Sequence, residues 1–120
     1  MQQSTYISSI SGCNCQTIDV SGSGSFSGTY DLNENKKGND KPSWRSKDQK
    51  NFISYIPESD SWAIGRNEGK NLGGNRLSTD YWRGTNVCPL DLQWYYWNGN
   101  SWEVFQNKLS CKMIGLFYSS

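Results

Sequence analysis

The chain has 120 residues, a length that suits one domain spanning 1–120. Twelve Lys and Arg against eleven Asp and Glu leave a formal net charge of +1, which removes the usual electrostatic reason to expect a nucleic-acid partner. The hydrophobic fraction is only 34%, yet 6 Trp, 7 Tyr and 4 Phe make the chain too aromatic for a disordered segment.

In chain order, Gln16–Val20 alternates Thr17 and Asp19 with Ile18 and Val20 and reads as a strand. Ser21–Gly28 is a bend. Gly28–Leu32 and Pro42–Arg45 form a hairpin with Asn33–Lys41 as its polar tip. Asn51–Ile64 (NFISYIPESDSWAI) is a second hairpin around the turn cluster Pro57-Glu58-Ser59-Asp60. Pairing Tyr55 with Trp62 sets Ile53 opposite Ile64, so these four share one face. Gly65–Leu92 is rich in glycine and lacks strand periodicity, which predicts a long loop, and long ordered loops are often functional. Gln93–Phe105 (QWYYWNGNSWEVF) carries Asn98-Gly99, the strongest short hairpin signal. One face of that hairpin holds Tyr95, Trp97, Trp102 and Val104, the other Trp94, Tyr96, Glu103 and Phe105. Lys112–Tyr118 is a continuous apolar run that reads as a central strand. Ser61-Trp62-Ala63-Ile64 echoes Ser101-Trp102-Glu103-Val104 at the same point of the two hairpins. The expected fold is all-β, a single antiparallel β-sandwich or small barrel built from hairpins.

Four cysteines, Cys13, Cys15, Cys88 and Cys111, allow three pairings. In an extended segment Cys13 and Cys15 point the same way and are poorly placed to bond each other. Each is expected to reach one of Cys88 and Cys111. A four-thiolate zinc site would need two CxxC-like knuckles, which the spacing does not supply, and free thiols are the remaining alternative. Disulfides imply an oxidising, extracellular setting. Residues 1–20 show neither a basic start nor an apolar core of a signal peptide, so the chain reads as a mature form. No stretch approaches the ~18 apolar residues of a membrane span, and no membrane insertion is expected.

The absence of histidine excludes Ser-His-Asp and Cys-His catalysis and histidine metal sites. A carboxylate hydrolase would need two facing acids. Asp80, Glu103 and Glu68 are the carboxylates that stand out, two beside aromatics and one in the long loop, and this is the least favoured reading. Asp31-x-Asn33-x-Asn35 imitates the start of an EF-hand loop, but Lys36 and Pro42 stand where Gly and Glu are required. The Gly65–Gly74 stretch lacks the P-loop spacing. No metal and no cofactor are expected.

Aromatic chemistry remains. Sugars offer apolar C–H faces that stack on Trp and Tyr, and hydroxyls that need Asp, Asn or Arg. Asn75, Arg76, Asp80, Tyr81, Trp82 and Arg83 in the long loop fit that inventory, and Trp94 and Tyr96 of the last hairpin would extend the platform. The alternative for Trp82 and Trp94 is a place in the core, where Trp62, Trp97 and Trp102 are expected.

The order Gly28-Thr29-Tyr30, Pro42-Ser43-Trp44, Ile53-Ser54-Tyr55, Trp62-Ala63-Ile64-Gly65, Cys88-Pro89 and a hairpin with Trp94 and Trp102 resembles a small aromatic-rich β-module of extracellular multidomain proteins of invertebrates and protists, over roughly residues 17–105. The resemblance implies a secreted recognition module and transfers no site residues. The expected function is therefore non-enzymatic binding of a glycan. The alternative is a protein ligand or a second copy of the chain meeting the aromatic hairpin face.

Overall fold

A computed structural model describes residues 15–22, 24–33, 41–69, 75–82, 87–105 and 109–112. Nine strands form one curled antiparallel sheet: β1 (Thr17–Val20), β2 (Gly28–Leu32), β3 (Trp44–Ser46), β4 (Phe52–Ile56), β5 (Ser61–Gly65), β6 (Asn75–Thr79), β7 (Trp94–Trp97), β8 (Trp102–Val104) and β9 (Leu109–Cys111). Their order, β8-β7-β6-β5-β4-β3-β2-β1-β9, is a meander with the last strand added beside the first. The all-β expectation holds. Most of the hairpin tip between β2 and β3 (residues 34–40), and residues 113–118 of the apolar run after Lys112, lie outside the described residues.

Period-two alternation builds the core. Tyr55 pairs with Trp62 and Ile53 with Ile64, the register that the apolar pattern predicts. Together with Ile18, Val20, Tyr30, Trp44, Leu77, Trp94, Phe105 and Leu109 they fill the concave side of the sheet. The rings of Trp44 and Trp62 lie 6.2 Å apart, and Tyr55 meets Trp62 edge to face at 5.6 Å. The buried indole and phenol are matched: Trp44 Nε1 donates to the Cys15 carbonyl at 2.9 Å and Tyr30 Oη to that of Phe26 at 2.7 Å.

The convex side changes character along the sheet. On β1 and β2 it is polar, with Thr17 bonded to its cross-strand partner Asp31, and Thr29 to Asp19. On β4, β5 and β6 it carries Ser54, Ser61, Ala63 and Ser78, all buried. The chain after β5 folds back over β4, where Gly69 N–H donates to Ser54 Oγ at 2.8 Å. Strand β5 is buried on both faces.

The predicted long loop Gly65–Leu92 is interrupted by β6. The sequence NRLST has one apolar residue, Leu77, directed into the core, and its strand state comes from pairing with β5 and β7. Strand β9 is also shorter than any legible pattern.

Every pairing is antiparallel, so β8 and β9 run in the same sense on opposite edges. Phe105 N–H still donates to Trp94 O at 2.9 Å, and Leu109 pairs with Val20. Those four residues of chain span at most ~15 Å, whereas the edges of a flat nine-stranded sheet would lie ~38 Å apart. The connection thus requires the curl. Between the edges sits a 3-10 turn, Pro89–Asp91, packed on β9 and accepting Trp94 Nε1 at the Pro89 carbonyl.

A Cys15–Cys111 disulfide, with Cα atoms 5.8 Å apart, joins the approach to β1 to the end of β9. Cys88 is disulfide-bonded as well, and Cys13 lies outside the described residues.

Candidate functional site

The β7–β8 hairpin decides which aromatics meet solvent. Both of its faces are aromatic, so alternation fixes the two sets without saying which is inside. Trp94 is only 4% exposed, with its indole N–H satisfied by Pro89 O at 2.8 Å. Tyr96 leans on the core from the same face, and its hydroxyl donates to Glu103 Oε1 at 2.8 Å. That bond, with the Glu103 charge, pushes the Tyr96 hydroxyl above its usual range. Trp94 is thus a core residue rather than part of a surface platform. Trp97 and Trp102, expected in the core, stand on the convex side with rings 5.5 Å apart. Trp102 is 43% exposed and Val104 45%. At the tip, Asn98 Oδ1 accepts the N–H groups of Asn100 and Ser101, and its Nδ2 donates to Glu103.

Past the end of β6 the chain turns outward at Asp80. Tyr81 is 51% exposed and Trp82 69%, their rings edge to face at 6.4 Å. Trp82 has φ +66°, a left-handed conformation that costs a bulky residue about 1–2 kcal/mol. Its N–H donates to the Ser59 carbonyl of the β4–β5 turn at 2.8 Å, which holds the turn in place.

A cleft of about 370 Å³ lies here, lined by Ser78, Thr79, Asp80, Tyr81, Tyr95 and Trp102. Small-molecule sites begin at about that size. Of the predicted site residues the cleft gathers Asp80 and Tyr81, with Trp82 in ring contact beside them. It does not gather Trp94 or Tyr96, which face the core side. Asn75 and Arg76 lie in β6, where their side chains are not described, and Arg83 lies outside the described residues. Tyr95 and Trp102 were absent from the predicted set. Their shared parity with Val104 on the last hairpin was the signal available.

The three prominent carboxylates have separate surroundings. Glu68 Oε2 accepts from Asn33 Nδ2 at 2.9 Å and from Ser43 Oγ, which ties the chain after β5 to the β2–β3 end of the sheet. Glu103 is engaged by Tyr96 and Asn98. Asp80 is exposed at the cleft wall. Among the described residues no three acidic, cysteine or histidine side chains gather as a metal site would require, and no helix is long and apolar enough to cross a membrane. No family model, curated protein or solved structure matches this chain.

Proposed function

We propose that the protein is an extracellular, non-enzymatic carbohydrate-binding module whose site is the Asp80–Tyr81–Tyr95–Trp102 cleft, extended by Trp82. One observation carries the reading: an aromatic pair, Tyr81 and Trp82, is held in solvent by a strained turn beside a cleft walled by two further aromatics. Exposed rings fixed at a cleft offer flat apolar faces to the C–H face of a pyranose at low entropic cost, and Asp80 supplies an acceptor for hydroxyls. Glu68 and Glu103, occupied in scaffold hydrogen bonds, support binding over hydrolysis. The disulfide-bonded cysteines support the extracellular setting.

The oxidised protein should bind on a glycan array, and Trp82→Ala and Trp102→Ala should each lose that signal while keeping a cooperative urea unfolding transition. Silence on every glycan would remove the reading. A second reading rests on Trp102 and Val104 being exposed on an outermost strand, which suits a protein strand or a second copy. Dimerisation in light scattering, abolished by Val104→Lys, would favour it.

A further inference from the structure

The polar inventory of the cleft narrows the class of sugar, an inference that rests on the carbohydrate reading. Ser78 and Thr79 are buried and their hydroxyls already bond the scaffold: Ser78 Oγ donates to Thr79 O at 2.9 Å, and Thr79 Oγ1 accepts the Trp62 N–H at 2.9 Å. Neither carries a charge that would bias the cleft. Among the described lining residues Asp80 is the one with an ionisable carboxyl, it is exposed, and none of them is a Lys or Arg. The remaining walls are the rings of Tyr81, Tyr95 and Trp102, whose faces are the negative part of an aromatic quadrupole. Carboxylate and rings therefore favour the same ligand charge. An anionic sugar would meet repulsion from Asp80, and a neutral one would leave the field unused.

We infer that the cleft selects a pyranose bearing a protonated amine, a hexosamine unit with its amino group free, over N-acetylated and uronic-acid sugars. The ring stacks on an aromatic wall, and the ammonium meets Asp80 and the ring faces. A simple ammonium compound shares the cationic part of this chemistry without the ring, so it serves as a separate arm of the test.

Isothermal titration of the oxidised protein should compare a glucosamine oligomer, its N-acetylated counterpart, an oligoglucuronate and choline. The glucosamine oligomer should bind about tenfold more tightly than the N-acetylated one, the sum expected of one exposed ion pair and one cation–π contact. Asp80→Asn should weaken the glucosamine oligomer more than the N-acetylated one and so abolish that preference, and added salt should shrink it. Equal affinity for the free and acetylated amines, or a preference that survives Asp80→Asn, would overturn the inference and leave the carbohydrate reading standing. Choline binding as tightly as the glucosamine oligomer would overturn the sugar part of it. Failure of every sugar to bind would sink the carbohydrate reading itself.

Discussion

The amide of Trp82 donates to the carbonyl of Ser59 at 2.8 Å, so the most exposed indole of the described chain is anchored to a turn of a different hairpin. The bond comes from the backbone N–H, so it does not depend on the indole. At φ +66° glycine is the residue the backbone prefers. Trp82→Gly is therefore expected to leave the thermal midpoint unchanged or to raise stability by up to about 1 kcal/mol, while glycan binding is lost. A melt and an array on the same sample check both halves.

Glu68 shows the opposite balance, stability without a ligand. Its carboxylate accepts from Asn33 and Ser43, both buried. Glu68→Ala removes an acceptor shared by two buried side chains and should cost about 2–3 kcal/mol in urea denaturation, with Glu68→Gln recovering part of the loss. Binding at the cleft should be unaffected in the folded fraction.

How far these roles were legible depends on the strand. For Asn51–Ile64 the alternation of large apolar residues about a polar turn set the register down to the Tyr55–Trp62 pair. For Asn75–Thr79 it could not, because one core residue in five carries no period and the neighbouring strands impose the conformation. The β7–β8 hairpin lies between these cases. Its two faces could be separated by parity, but with aromatics on both, the choice of inner face turned on Pro89, which offers a carbonyl to the Trp94 indole. Tyr81 and Trp82 were visible as aromatics in a glycine-rich stretch, whereas their neighbours Tyr95 and Trp102 come from two strands, β7 and β8, with no sequence proximity to them.

Tyr30 makes the fold sensitive to alkali. Burial, and then the Asp48 charge, hold its hydroxyl well above the usual tyrosine range. A folded-state pKa raised above the unfolded value of about 10 gives stability that is complete below that pH and is lost as pH rises toward the folded value. Urea midpoints should fall from about pH 10 upward, and Tyr30→Phe should flatten that fall. The variant should also lose about 1 kcal/mol at neutral pH, since the bond to Phe26 O disappears.

Trp97 and Trp102 are directly paired across the hairpin with rings 5.5 Å apart, close enough for their transitions to couple. Trp102→Val should remove the resulting couplet from the far-ultraviolet dichroism and weaken glycan binding. The cost in stability should stay near 1 kcal/mol, the range for one cross-strand pair.

The disulfide closes a separation of 96 residues, for which chain entropy gives about 4–5 kcal/mol. Peptide mapping under non-reducing conditions should recover Cys15 linked to Cys111 and Cys88 linked to Cys13. Reduction should lower the urea midpoint steeply.

The run from Trp102 to Cys111 also sets an order of assembly. Seven ladders join strands adjacent in sequence and can zip up as the chain is synthesised, but one edge of β1 finds its partner only when β9 emerges. For most of translation the nascent protein therefore presents an unsatisfied strand edge, the feature that invites association with other chains. Docking of β9 on β1 brings Cys15 and Cys111 to a Cα separation of 5.8 Å, so their bond holds closed the edge that is last to be satisfied.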